Sequence, residues 1–119
     1  MIKPAPELIK EAQELINCID ATKARELLMK NPEATLIDVR EKETHDNSSI
    51  TNSLNIPRGV LEFKVAKACP NPESLILTHC QGGGRASLAA LTLKRMGYDN
   101  VYAITESFDT IKQMLDATK

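Results

Sequence analysis

Apolar residues along this chain recur three or four apart in some stretches and crowd into short runs in others. That alternation predicts a sheet layered between helices. Leu8, Ile9, Ala12, Leu15 and Ile16 fall at helical spacing over residues 6–17, which predicts a helix packed on the outside of the molecule. Asp20 stands where an N-cap belongs, ahead of a second helix, Ala21–Lys30, that buries Ala24, Leu27 and Leu28 and stops before Asn31-Pro32. Residues 35–39 are apolar and β-branched, as a parallel strand buried on both faces requires. On this reading two helices precede the first strand.

Residues 40–55 are polar and predict a long connection with some helix, followed by a turn at residues 56–59. A helix over 60–68, with Leu61, Val65 and Ala68 on one side, ends at Pro70-Asn71-Pro72. Leu75–His79 is a second buried strand. The helix after it has Lys94 and Arg95 in its last turn and Gly97 just past its end, and Leu88, Leu91 and Met96 form its predicted core stripe. Asn100–Ile104 predicts the last strand and residues 107–117 the last helix. The expected fold class is therefore α/β: a central, mainly parallel sheet with helices on both faces and an extra N-terminal helix. Residues 1–119 read as a single domain, of which 1–17 are a helical extension, with no internal repeat. In such sheets ligands gather at the carboxyl ends of the strands.

Composition narrows the function. The 119 residues are 42% apolar and 26% charged, and 15 basic residues nearly balance 16 acidic ones. No basic cluster is interleaved with aromatics, so nucleic acid is not an expected partner, and no apolar run is long enough to enter a membrane. The N-terminal residues lack the apolar core of a signal peptide, which makes the cytoplasm the default location. Cys18, Cys69 and Cys80 form no CxxC pair and are odd in number, which fits neither a disulfide framework nor a zinc site. Cys18 is expected to be buried or interfacial, Cys69 a loop residue, and Cys80 free to react.

The chemistry concentrates after the Leu75–His79 strand. Cys80 is followed by Gln81, Gly82, Gly83, Gly84 and Arg85, and then the helix begins. Glycines let the amides curl toward one point, and the positive end of the helix dipole faces the same point. A sulfur there meets an anion cradle that favours a thiolate, a bound oxyanion or an extra sulfur on the thiol, with the forked donors of Arg85 alongside. The plain alternative makes Cys80 a small core residue at a tight strand-to-helix turn. His79 precedes the nucleophile, but neighbouring strand residues point to opposite faces, so it is expected to be a packed histidine and not a base for Cys80. Asp38 and Arg40 are expected to be structural, through backbone hydrogen bonds and a salt bridge, and His45 to be solvated. Arg58 is assigned equally to the pocket and to plain surface cover.

Taken together, residues 36–41, Asn55-Ile56-Pro57-Arg58-Gly59, the loop from Cys80 to Arg85, and Gly97-Tyr98-Asp99-Asn100-Val101-Tyr102 resemble a rhodanese-like domain of the single-domain thiosulfate sulfurtransferase type. The resemblance implies that Cys80 is the catalytic residue, carrying a sulfane sulfur as a persulfide. It implies that Gln81, Gly82, Gly83, Gly84 and Arg85 bind the substrate, and that neither a metal nor another cofactor is needed. The implied donor is a small sulfur-containing anion such as thiosulfate, and the implied acceptor is cyanide or a thiol, including a protein thiol. Two segments depart from the pattern. Residues 48–53 read Ser-Ser-Ile-Thr-Asn-Ser where the family shows Gly-His-Ile-x-Gly-Ala, and Glu106-Ser107, with Ile111 beyond, replace a glycine pair and an aromatic anchor. Glu106 is thereby expected to bring negative charge near an anionic donor. Two other functions compete: a low-activity binding or regulatory module, and a cysteine phosphatase or arsenate reductase. The latter pattern resembles Cys-x5-Arg, one residue longer than the spacing here.

Overall fold

A computed structural model describes residues 1–116 of the chain. Among these residues the elements run α1 (Ala5–Leu15), β1 (Asn17–Ile19), α2 (Ala21–Lys30), β2 (Thr35–Asp38), α3 (Lys42–Asn47), β3 (Leu54–Asn55), a 3-10 turn (Arg58–Val60), α4 (Leu61–Ala68), β4 (Leu75–His79), α5 (Gly84–Met96), β5 (Asn100–Ile104) and α6 (Phe108–Asp116). The five strands are all parallel and lie in the order β1-β5-β4-β2-β3. The expected α/β class and the extra N-terminal helix are both present. Among the described residues no helix is long and apolar enough to cross a membrane.

Each central strand feeds two cores, because alternate side chains leave opposite faces of the sheet. Ile37, Ile76, Val101 and Ala103 face α4 and α5, together with Cys80, whereas Leu36, Leu77 and Ile104 face α2 and α6. Asp20 caps α2 as its type predicts, its carboxylate accepting from the Lys23 N–H at 2.8 Å. Gly97 closes α5 at φ 111°, its N–H reaching Lys94 O while the Tyr98 N–H reaches Leu93 O, both at 3.1 Å. The end expected for the last helix at Ala117 lies outside the described residues.

Several expectations fail for physical reasons. Residues 16–17 do not continue the first helix: after Leu15 the chain extends into β1, an edge strand paired with β5, so a strand separates the two leading helices. Cys18, on that edge, is exposed. Along α4 and its C-cap the buried stripe runs Leu61, Val65, Cys69, four residues apart, leaving Ala68 exposed and Cys69 in the core. The buried side of α5 is Ala86, Ala89, Ala90 and Leu93, while Leu88 and Leu91 are half-buried and Met96 is exposed. Small residues let this helix lie close to the sheet. Leu27 and Leu28 are likewise half-buried, and Ala21 joins Ala24 in the contact of α2 with the core.

The departure at residues 48–53 is absorbed without breaking the fold. Ile50 is buried against α2 and α6, and Asn52 takes a left-handed φ of 68° where the resembled pattern has its second glycine. Asparagine tolerates that region better than other side chains.

Candidate active site

β4 ends at the carboxyl edge of the sheet, and Cys80 is the next residue. Its sulfur is turned inward: Cys80 is 1% exposed, and Sγ accepts from the Gly83 N–H at 3.1 Å and the Ala86 N–H at 3.3 Å. These are the donors that a helix N-terminus leaves without intrahelical partners, and Cys80 occupies the position of an anion bound there. α5 is fastened to β4 by Thr78 Oγ1, which donates to Ala86 O at 2.8 Å.

The loop is clamped by residues distant in sequence. The Phe108 N–H donates to Gln81 O at 2.9 Å, joining the loop to the start of α6. Gly83 has φ 99°, and a Cβ there would lie 2.7 Å from Thr105 O, so the chain after β5 closes on it directly. Ser87 donates to Gly83 O twice, from its N–H at 3.0 Å and from Oγ at 2.7 Å. Only the Ser87 contact had a local signal in the sequence, a serine four residues after Gly83 in the first turn of the helix. The contacts of Thr105 and Phe108 depend on strand order and had none.

The structure brings Cys80, Gly83 and the start of α5 together, with Gln81 and Gly82 exposed on the loop and Gly84 half-buried at the first position of the helix. Arg85 is exposed and makes no hydrogen bond or ion pair among the described residues, which leaves its guanidinium available to an anion. Arg58 is engaged elsewhere: Nη1 donates to Glu62 at 3.0 Å and Nη2 to Thr92 at 2.8 Å, and neither partner belongs to the Cys80 loop. Glu106 does not turn its charge loose near the loop. Its Oε1 accepts the Ala21 N–H at 2.5 Å and so satisfies a donor at the start of α2. Among the described residues no group of three His, Cys, Asp or Glu is placed to hold a metal.

Beneath the loop, on the α2–α6 face, lies a buried polar stack. Arg40 is 2% exposed. Its Nε and Nη2 donate to Asp38 at 3.0 and 2.9 Å, and its guanidinium lies 3.9 Å from the centre of the Phe108 ring. The structural roles expected of Asp38 and Arg40 are present, including the Arg40 N–H bond to Asp38 Oδ1. His45 is not solvated: it is half-buried, with Nδ1 2.8 Å from Asp38 Oδ2. Burial alone would push the Asp38 carboxyl up, but the hydrogen bonds from Arg40 and His45 outweigh it and hold the group below the ordinary carboxylate value. His79 is packed, as expected, stacking on Phe108 with ring centres 6.0 Å apart. Its burial, with Arg40 helping and Asp38 opposing, pushes it down to about 4, so the ring is neutral at physiological pH.

His79 makes stability depend on acid. Its folded value lies below the ordinary 6.5, so its contribution is complete above pH 6.5 and is lost as pH falls toward about 4. The loss should reach about 3 kcal/mol. Urea midpoints measured between pH 7 and 4 should fall steeply for the native chain and less for His79→Leu. Equal slopes for the two would remove His79 as the cause.

Comparison with known proteins bears on this arrangement. The model of the rhodanese-like domain matches residues 20–114. The thiosulfate sulfurtransferase GlpE of Coxiella burnetii is 27% identical over 85 residues, covering 71% of this chain and 78% of that protein. The polysulfide-sulfur transferase homodimer of Wolinella succinogenes superposes with a TM-score of 0.72 at 30% identity, covering 87% of this chain and 77% of that one. A protein of unknown function from Rhodopseudomonas palustris, described as a possible tyrosine phosphatase, gives a TM-score of 0.81 at 24% identity over 95% of this chain and 92% of its own, and so shares the fold. Three curated relatives, 37%, 33% and 31% identical over 65, 66 and 81 residues, are much longer, and the chain spans only 16%, 35% and 23% of them.

Proposed function

The chain belongs to the rhodanese-like domain family, and from that premise we propose that it is a sulfurtransferase in which Cys80 carries the transferred sulfur. The observation that carries this reading is the pair of N–H groups, from Gly83 and Ala86, that converge on Cys80 Sγ at the start of α5. In the proposed reaction the Cys80 thiolate attacks the outer sulfur of a donor such as thiosulfate. The S–S bond of the donor breaks, sulfite leaves with the bonding electron pair, and Cys80 is left as a persulfide anion. Loop amides and the helix dipole stabilise that anion. A thiolate or cyanide then attacks the outer sulfur and the Cys80 thiolate departs, so no net redox change falls on the protein.

Three further features agree with this. A sulfur only 1% exposed suits a donor that presents a single terminal atom better than one that presents a bulky group. Arg85, exposed at the first turn of α5, supplies charge for an anionic donor. The relatives named for sulfur transfer include the GlpE and polysulfide-sulfur transferase proteins above. All three cysteines are free thiols, which fits a reducing compartment such as the cytoplasm. The four-residue spacing from Cys80 to Arg85 weighs against a phosphatase.

The test is loading. Reduced protein incubated with thiosulfate should gain one sulfur, placed on Cys80 by peptide mass spectrometry, and should release it as thiocyanate when cyanide is added. Absence of loading on folded, reduced protein would reject thiosulfate as donor. Hydrolysis of an aryl phosphate at Cys80 would replace the proposal with a phosphatase.

A further inference from the structure

The Cys80 loop is also braced from outside the segment that carries the family match. That match begins at residue 20, beyond the end of α1 at Leu15. α1 nonetheless packs along α5, with Ala12 fully buried between them, and Lys94 Nζ donates to Leu15 O at 2.7 Å to secure its far end.

Two of its side chains reach the cradle. Ile9 Cδ1 lies 2.8 Å from where a Cβ on Gly84 would sit, so the space beside the first residue of α5 is already filled by α1. Gln13 Nε2 donates to Ser87 Oγ at 3.1 Å, Ser87 Oγ donates to Gly83 O at 2.7 Å, and the N–H of the same Gly83 meets Cys80 Sγ at 3.1 Å. A hydroxyl rotates unless both its donor and its acceptor sides are occupied. With Gln13 filling a lone pair of the buried Ser87, the hydroxyl proton stays directed at Gly83 O. Glycine has the widest backbone freedom of any residue, and α1 restrains two glycines in succession.

We propose that Ile9 and Gln13 are positioning residues for sulfur transfer: through Gly84 and Ser87 they hold the Gly83–Gly84 peptide in place, and so restrain the Gly83 torsions on which the direction of its N–H toward the reacting sulfur depends. The N-terminal extension is then an integral part of the site in a single domain. The proposal rests on Cys80 being the sulfur carrier.

The test uses the full chain with Ile9→Ala, Gln13→Ala and, as control, Glu11→Ala, whose carboxylate pairs with Lys3 on the exposed side of α1. Two quantities are read: hydrogen exchange of the Gly83 and Ala86 amides by NMR, and the rate at which thiosulfate loads Cys80. Ile9→Ala and Gln13→Ala should each speed Gly83 exchange and slow loading about three- to tenfold, while Glu11→Ala changes neither. Adding Gly84→Ala to Ile9→Ala returns a methyl group to the vacated space, and should bring Gly83 exchange back to within about twofold of the native chain. Exchange unchanged in the two variants, or faster exchange with native loading rates, overturns the positioning role even if melting temperature falls. Amide exchange needs no sulfur donor, so a native protein that fails to load rejects thiosulfate as donor and leaves the bracing of the cradle to be judged on exchange alone.

Discussion

Replacing Arg40 with leucine should destabilise the fold by about 3–5 kcal/mol, a large part of the stability a domain of this size commands. The residue is 2% exposed and Asp38 is fully buried, so the substitution strands a carboxylate with the half-buried His45 as its remaining side-chain partner. It also frees Ser48 O, which now accepts from Arg40 Nη2 at 2.6 Å, and removes the cation from the Phe108 ring. The cost is that of an uncompensated charge more than the worth of the pair, and this gives the prediction its signature. Asp38→Asn combined with Arg40→Leu should cost clearly less than the two single changes summed, because neither charge is then left alone. Lowering the pH should narrow the gap between Arg40→Leu and the native chain as the stranded carboxyl takes up a proton. Urea unfolding measures all of these. A loss below about 1 kcal/mol would show that the stack is incidental to stability.

The stack also explains why the loop after β4 is firm. Phe108 packs against both Arg40 and His79, and its own N–H holds Gln81 O, so a buried ion pair on one face of the sheet helps to anchor a loop whose cysteine belongs to the other.

What the sequence revealed follows from how local each cause is. β4 and β5 have the expected bounds, because central strands covered on both faces carry short, largely apolar runs such as Leu75-Ile76-Leu77 and Val101-Tyr102-Ala103-Ile104. β1 and β3 leave little trace in the sequence for the opposite reason: as short edge strands they bury little, and their pairing is imposed by β5 and β2. The buried stripe of α5 differs from the expected Leu88, Leu91 and Met96 because a helix lying close to a sheet selects the small Ala86, Ala89 and Ala90 for the contact. His45 sits among polar residues, and only the fold brings it to Asp38. At the site, the cysteine, the glycine turn and the helix start are consecutive in the chain and so were legible together. The restraints from Ile9, Gln13, Thr105 and Phe108 arise from two stretches, α1 and residues 105–108, that only the fold brings to the loop.

Gly83→Ala should lower the rate of sulfur loading on Cys80 by about 10²–10³-fold, the usual effect of losing one preorganised donor to a reacting anion. Two penalties act at this residue. Its φ of 99° is a conformation that costs an L side chain roughly 1–2 kcal/mol. The new methyl would also lie 2.7 Å from Thr105 O and 2.9 Å from Thr105 Cα, and backbone atoms cannot swing aside as the tip of a side chain can. Relief must come from moving the loop, which carries the Gly83 N–H away from Cys80 Sγ. Gly97 separates the two penalties, because its φ is 111° but no atom lies within 4 Å of where its Cβ would be. Gly97→Ala should therefore lower the melting temperature while loading Cys80 at the native rate, whereas Gly83→Ala should lower both. If Gly83→Ala loads like the native protein, the cradle amide does not stabilise the transferred sulfur, and the rate must come from the helix dipole and Arg85 without it.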